Sequence, residues 1–391
     1  MSSGYNAFQY EIYLGGVGGE APALPVTYEQ MREQARQLLP PEAFSYVAGS
    51  ASAESTEAAN RRAFDRWRIR PRMLTDVAER DLSVELFGRT LPAPLLLAPI
   101  GVQGILHDEA EVATARGAAS LGVPTVLSTV ASYCIEDVAE AAGDTPRWFQ
   151  LYWPTEDAIT DSLIQRAADA GYDAVTVTLD TRMLAWRPRD LVGAYLPFLH
   201  GKGLANYRTD PAFTAGLPED AEDPETATIM RWASVFADPS QTWERLRDLA
   251  ARSPLPILVK GIQHPDDARL ALDAGVAGLV VSNHGGRQVD GAMGALEALP
   301  EIVEVAGDEV PVLFDSGVRT GADIAIAIAL GARAVLLGRP YAWGLAVAGD
   351  EGVRHVLRCI LADLELTMAL SGVARCDELT RDLLVREPFS A

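Results

Sequence analysis

Between residues 95 and 340, short apolar runs alternate with helix-like segments. The runs are LLLAPIG (95–101), PTVLST (124–129), RWFQLYW (147–153), AVTVTLD (174–180), PILVKGI (256–262), GLVVSNH (278–284), PVLFDSG (311–317) and AVLLGRP (334–340). Strands that are apolar on both faces read as a parallel sheet covered by helices, and eight such units predict closure into an α/β barrel of the (β/α)8 or TIM type. The segments at 156–171 and 264–275 open on acidic residues and end at a glycine, as helix termini favour.

Two stretches interrupt this rhythm. Residues 1–90 form an N-terminal extension, with an amphipathic helix expected near Tyr28 to Leu39 and a hairpin around Arg70 to Pro92. This extension is expected to cover the barrel of residues 91–391. Residues 187–240, rich in Pro, Gly, Asp and Glu, fall between the fourth and fifth units and predict a lid or an oligomer contact. A helical segment is expected to close the chain.

Composition narrows the classes. The 391 residues, 48% hydrophobic and 22% charged, are enough for one large globular domain or two small ones. Fifty-four acidic against 33 basic side chains give a net charge of -21, scattered along the chain, which argues against a nucleic-acid partner. It leaves a small anionic substrate open, because such a ligand responds to the field of its pocket. Cys134, Cys359 and Cys376 are odd in number and far apart, so inert thiols in a reducing compartment are expected. The N-terminus shows no basic start followed by an apolar segment, and no apolar run approaches the roughly 20 residues of a membrane span. A cytoplasmic protein without a membrane partner is the expectation. No HExxH or comparable cluster predicts a metal site, and neither GxGxxG after the first strand nor GxxxxGK[ST] is present.

The candidate chemistry sits where strands end, which in such barrels is the catalytic face. VVSNHGGRQVDG (280–291) places His284 and Arg287 around two glycines. His284 can take up a proton near neutral pH, although a lone histidine is more often structural. Arg287 can present a planar fork to a carboxylate. Asp180 can support the protonated histidine or simply cap a helix. Arg187, in the loop seven residues on, offers a second cation, and Tyr46 and Tyr152 are hydroxyl donors or ordinary core tyrosines. Gln150, Lys260 and Asp315 also end strands. DSGVRTGAD (315–323) and GRPYAWG (338–344) each join a glycine turn, an arginine and a following helix. Loops after the last two barrel strands bind phosphate through backbone N–H groups, which makes Arg319 and Arg339 partners of a phosphate-bearing cofactor.

FQLYW, TLDT, LVKGI, SNHGGRQ, DSGVRTG and GRP, in this order along the chain, resemble the FMN-dependent 2-hydroxy acid oxidases, and the match runs from about Pro25 to Leu384. LPPEAFSYVAG, ERDLSVELFG, LAPIGV, WRPRDL, NYRTDP, GIQHPDDAR and GRPYAWG are most similar to the lactate 2-monooxygenase branch. The resemblance implies FMN as cofactor, a small L-2-hydroxy acid and dioxygen as substrates, and a tetramer or larger homo-oligomer. It implies that His284 is the base and Asp180 its support, with the carbanion and hydride routes both open. Arg187 and Arg287 would bind the substrate carboxylate, and Tyr46 and Tyr152 its oxygens. Lys260 would stabilise charge on the flavin, while Gln150, Thr178 and Ser128 would bond its ring edge. Ala98, Pro99, Ile100 and Gly101 would pack along the ring, Asp315 would meet the ribityl chain, and Ser282 would complete the pocket. Gly317, Arg319, Gly338 and Arg339 would hold the phosphate.

The chain departs from its models in AGSASAES after Tyr46, in RQVDG, and in Arg182 where relatives carry an aromatic residue. Arg182 is therefore expected to alter substrate preference. Gly101 stands where simple oxidases often have alanine, and its missing methyl group is expected to leave room near the flavin. The leading expectation is conversion of L-lactate to acetate, carbon dioxide and water, and the alternative is release of the 2-oxo acid and hydrogen peroxide. A dehydrogenase serving a quinone or carrier is disfavoured by the lack of a membrane segment. A flavin-binding protein without turnover is disfavoured because His284, Arg287, Asp180 and Lys260 are all present.

Overall fold

The computed structural model describes residues 4–387. All eight apolar runs are strands: Leu95–Leu97, Thr125–Ser128, Arg147–Tyr152, Ala174–Thr178, Ile257–Ile262, Gly278–Val281, Val312–Phe314 and Ala334–Leu337. They pair in parallel and in chain order, and the eighth returns to the first through Val335↔Leu95, Leu336↔Leu96 and Leu337↔Leu97, closing a (β/α)8 barrel. Residues alternate between two cores, as strand geometry requires. Leu96, Val126, Trp148, Leu258, Val280, Leu313 and Leu336 fill the inside, while their neighbours such as Leu97, Phe149, Val259 and Phe314 pack under the helices.

The extension does not act as a single cover. Its hairpin is only Val84–Leu86 against Arg89–Leu91, turned at Phe87 (φ 49°) and Gly88 (φ 72°), the paired positive angles of a tight two-residue hairpin loop. Leu86 and Leu91 join the inner core. The strand before it, Trp67–Ile69, instead pairs with Leu384–Arg386 near the end of the described chain. Among the helices of the extension, Pro41–Ala48 brings Tyr46 to the cleft, while Ala7–Val17 and Tyr28–Leu38 pack against the last helix.

The long insertion is only partly loose. Asn206 is fully buried and bonds the carbonyls of Ser128 and Thr129 at 3.2 and 3.0 Å and the N–H of Ile135 at 2.9 Å. Asp210 is fully buried too, accepting from Ser162 at 2.8 Å and pairing with Arg166 at 3.3 Å. These contacts pin the segment around residues 206–210 to the end of the second strand and to the helices that follow the second and third strands. The last helix, Arg339–Leu370, breaks at Ala348–Gly349, where Gly349 adopts φ 59°. No helix of the described residues is long and apolar enough to cross a membrane.

Candidate active site

At the C-terminal ends of the strands lies a cleft of about 1040 Å³ including its open mouth. The sixth strand ends in three consecutive left-handed residues, His284 (φ 58°), Gly285 (φ 66°) and Gly286 (φ 79°). Only glycine fits at 286, since a Cβ there would lie 2.6 Å from the backbone nitrogen of Glu57. The strained turn is held from outside: Ser282 Oγ accepts from His284 N at 3.0 Å, Ser316 Oγ from Gly285 N at 3.0 Å, and Asn283 Oδ1 from Gly286 N at 3.1 Å.

The turn presents His284 beside Asp180, with Nδ1 2.9 Å from Asp180 Oδ1 and 3.3 Å from Thr181 Oγ1. A carboxylate can only accept there, which assigns the proton to Nδ1 and leaves the Nε2 lone pair towards the cleft. Tyr152 Oη stands 3.5 Å from Nε2. Burial lowers the His284 pKa, and Asp180 pulls the other way. Burial raises the Asp180 pKa, but the charge and hydrogen bond of His284 and the charge of Lys260 leave it below the ordinary value. Lys260 binds Ser282 Oγ at 2.7 Å and Asp315 Oδ2 at 2.8 Å, and Asp315 and Asp180 hold it protonated against the opposing effect of burial.

Four arginines surround the cleft with little negative charge to meet them. Arg287 donates to the carbonyls of Tyr46 and Gly49 at 2.7 and 2.6 Å and lies over the Tyr46 ring. Arg187 donates to Arg287 O and Gln288 Oε1, with Asp190 at 3.8 Å. Arg339 donates only to the carbonyls of Val47, Gly285 and Gly49 and to Ser50 Oγ. Arg319 lies over Tyr28, 3.8 Å from Glu57. Burial first, then Arg187 and Arg339, push the Arg287 pKa down to about 9. Burial and Arg339 also lower that of Arg319. Buried cations held chiefly by carbonyls are costly alone and fit anionic ligands.

The donor set divides into two. Arg319 and Arg339, Gly317 (φ 94°), and the uncapped first turn after Gly338 suit a phosphate. Arg187 and Arg287, across from His284, suit a carboxylate. Ala98, Pro99, Ile100, Gly101, Leu336 and Gly338 give the cleft that Lys260 and Asp315 also line a largely apolar wall, a composition that suits a flavin ring. Ser128, Gln150, Thr178 and Ser282, expected at the ring edge, are at most 3% exposed and are not among the residues lining the cleft. The first three form a chain, Ser128 Oγ donating to Gln150 Oε1 and Gln150 Nε2 to Thr178 Oγ1, both at 3.0 Å.

Two expectations are corrected. Arg182 does not line this cleft; it lies at a separate chamber beyond Asp180. Nor does Gly101 leave an open space: a Cβ there would meet Val130 Cγ2 at 2.6 Å and Val130 O at 3.0 Å, so the neighbouring loop already fills it.

With this geometry in view, the sequence matches the family model described as FMN-dependent dehydrogenase over residues 35–386. The chain belongs to this family. It is 44% identical over 386 residues to the FMN-dependent alpha-hydroxy acid dehydrogenase qulF of Penicillium citrinum, covering 98% of this chain and 96% of that one. It is 42% identical to an L-lactate oxidase of Lysinibacillus sphaericus, covering 97% and 98%. A crystal structure of mandelate oxidase with (S)-4-hydroxymandelic acid superposes with a TM-score of 0.82 at 37% identity, covering 93% of this chain and 99% of that one. The protein is an FMN-dependent oxidoreductase.

Sequence reasoning passed over Glu111, a carboxylate on the inward face of Ala110–Ala119. It is 2% exposed and accepts from the N–H groups of Gln103 (3.0 Å) and Ser132 (3.1 Å), tying the first rim loop to the second. The tied loop contains Val102, a branched residue at φ 54°. A charged position amid the small apolar residues of that helix was the available signal. Burial raises the Glu111 pKa from 4.5 to about 7. A raised acid favours the folded state below its unfolded pKa, and the benefit is lost as pH rises through the folded value. Wild type should therefore lose about 3 kcal/mol of stability between pH 4.5 and 7 that Glu111→Gln does not lose. Denaturant titrations of the FMN-loaded proteins across this range check it; parallel curves would disprove the assignment.

Proposed function

We propose that the chain oxidises small L-2-hydroxy acids with dioxygen, and that L-lactate is its substrate. The observation carrying this reading is the pairing of His284 Nε2, turned towards the cleft and 3.5 Å from Tyr152 Oη, with Arg187 and Arg287 in one cleft. The arginines receive the substrate carboxylate, and Tyr152 and Tyr46 orient the hydroxyl. His284 Nε2 takes the hydroxyl proton while Asp180 stabilises the imidazolium. Bound FMN supplies the two-electron acceptor. Lys260, kept protonated by Asp315 and Asp180 and bonded to Ser282 Oγ, provides fixed positive charge in the cleft that would receive the flavin, and the buried chain Ser128, Gln150, Thr178 offers polar groups for the ring edge.

The finer reading is an L-lactate 2-monooxygenase. Leu184, Phe198 and Phe236 form an apolar roof on the cleft, continuous with the segment pinned by Asn206 and Asp210. A seated roof retains pyruvate beside newly formed hydrogen peroxide. The two then give acetate, carbon dioxide and water: the peroxide oxygen enters the carbonyl carbon, the bond to the carboxylate breaks, and the O–O bond is reduced. Val130 favours the second reading, a peroxide-releasing oxidase, because it occupies the space that the glycine at 101 was expected to open.

The test supplies L-lactate in air and measures acetate, pyruvate and peroxide against dioxygen consumed. Acetate equal to dioxygen with little free peroxide is the expected outcome. Equal pyruvate and peroxide would replace the monooxygenase by the oxidase, and no dioxygen uptake with any small L-2-hydroxy acid would overturn both. Assembly into four or more copies belongs to the same proposal, and the exposed Tyr10, Tyr13, Leu14 and Val17 of the first helix offer apolar surface for it.

A further inference from the structure

The helix Ser55–Asp65 of the N-terminal extension bridges two loops of the rim, the one that carries His284 and the one that carries Arg319. Its start is capped by the first of these loops: Asp290 accepts from the N–H groups of Ala53, Ser55 and Thr56 at 2.9, 2.7 and 3.2 Å. Further along, Asn60 and Asn283 form a reciprocal amide pair, Asn60 Nδ2 donating to Asn283 Oδ1 at 2.8 Å and Asn283 Nδ2 to Asn60 Oδ1 at 2.7 Å. The two side chains are 1% and 4% exposed. Ala295 N donates to Asn60 Oδ1 at 2.9 Å, and Asn283 Nδ2 donates to Met293 O at 3.1 Å. A buried network bonded on this many sides holds one geometry. Asn283 Oδ1 is also the acceptor of Gly286 N, the bond that closes the His284 turn.

The next residue, Arg61, serves the other loop. Its Nη1 donates to the Gly317 carbonyl and, at 2.8 Å, to Asp323 Oδ2. Asp323, 4% exposed, accepts in turn from the N–H groups of Arg319 and Thr320 at 2.8 and 3.1 Å, which fixes the backbone from which Arg319 extends. The helix also touches both loops directly: a Cβ on Gly317 would lie 3.1 Å from Asn60 Cβ, as one on Gly286 would lie against Glu57. Ser316 Oγ, accepting from Asn283 N at 3.3 Å and Gly285 N at 3.0 Å, ties the loops a second time. We infer that the helix is a strut locking the base to the seat of the cofactor phosphate, with Asn60 and Arg61 as its two positioning residues. This rests on reading His284 as the base and the Arg319 loop as the phosphate seat. Neither Asn60 nor Arg61 lines the cleft, so each acts through the loop it holds. A phosphate that orders the Arg319 loop steadies Arg61, the helix and Asn60 in turn, and so keeps the His284 turn in register with Asp180. Coupling of this kind is reciprocal, so loosening either end weakens both functions.

The test compares wild type, Asn60→Ala, Arg61→Ala and the double variant. Anaerobic stopped-flow reduction by L-lactate is followed at saturating FMN, and affinities for FMN and riboflavin are measured by flavin fluorescence. Riboflavin lacks the phosphate, so the ratio of the two affinities reports the phosphate seat alone. Each single change should lower the limiting rate of reduction by roughly 10- to 100-fold, the effect of misplacing a catalytic group from a distance, with the lactate dissociation constant within threefold. Asn60→Ala, which bonds only the base loop, should also cut the preference for FMN over riboflavin by about fivefold or more. The double variant should be within threefold of the slower single variant, because either change opens the same strut. A fold that is merely loosened would lower the thermal midpoint and leave the FMN preference intact. An unchanged FMN preference in Asn60→Ala, or a double variant slowed by the product of the single factors, would overturn the strut. Arg61 is 37% exposed, so Arg61→Ala leaves the core in place, and a wild-type limiting rate in it would overturn the strut by itself. Failure of the underlying readings is seen separately, as undiminished reduction in His284→Ala or an unchanged FMN preference in Arg319→Ala.

Discussion

His284→Ala is expected to retain FMN while the rate of its reduction by L-lactate falls by roughly 10²- to 10⁴-fold, the usual contribution of a positioned general base. The expectation follows from direction as much as proximity. Asp180 fixes the proton on Nδ1, so the only free lone pair of the ring faces the cleft. The pH profile carries a second, signed prediction. Burial lowers the His284 pKa, so the acidic limb of kcat/KM should lie below the ordinary histidine value of 6.5. Asp180 raises that pKa, so Asp180→Asn should move the limb to still lower pH and depress the plateau, because the imidazolium formed in the reaction loses its counter-charge. Rapid-reaction kinetics from pH 4.5 to 8 would check both. Reduction by His284→Ala at an undiminished rate, or a limb moving upward in Asp180→Asn, would defeat the assignment.

The barrel was legible because each strand is buried on both faces, so its apolar run is nearly unbroken in the sequence and ends where polar residues take over. The rim residues followed from the same boundaries: His284 and Asp315 lie just beyond their strands, Lys260 lies in the last half of its own, and all three line one cleft. What stayed hidden depends on neighbours far apart in sequence. The space beside Gly101 depends on how Val130 of the next loop is turned. Arg182 was placed by its distance from Asp180 along the chain, but the chain turns outward there and delivers it to the chamber. The hairpin expected around Arg70 to Pro92 is confined to residues 84–91, and the strand before it, Trp67–Ile69, finds its partner at the far end of the described chain, at Leu384–Arg386. The fixed half of the insertion was equally silent, since nothing local marks Asn206 as the side chain that bonds the second strand.

Arg287→Ala is expected to lower kcat/KM for L-lactate by about 10²- to 10³-fold, with FMN content preserved. Removing one member of a buried charge pair costs 2–5 kcal/mol, and each 1.4 kcal/mol is a factor of ten. The pair is formed with the substrate, because among the described residues this guanidinium bonds the carbonyls of Tyr46 and Gly49 and lies over the Tyr46 ring, with repulsion from Arg187 and Arg339 and a weaker attraction from Asp190. Arg287→Lys should recover only part of the loss, as an ammonium keeps the charge but not the fork. Steady-state kinetics of wild type, Arg287→Ala and Arg287→Lys at fixed pH, with FMN content measured in each, would show this. A kcat/KM within threefold of wild type in Arg287→Ala would mean that Arg187 alone anchors the carboxylate and that Arg287 serves chiefly to hold the Tyr46 segment in place.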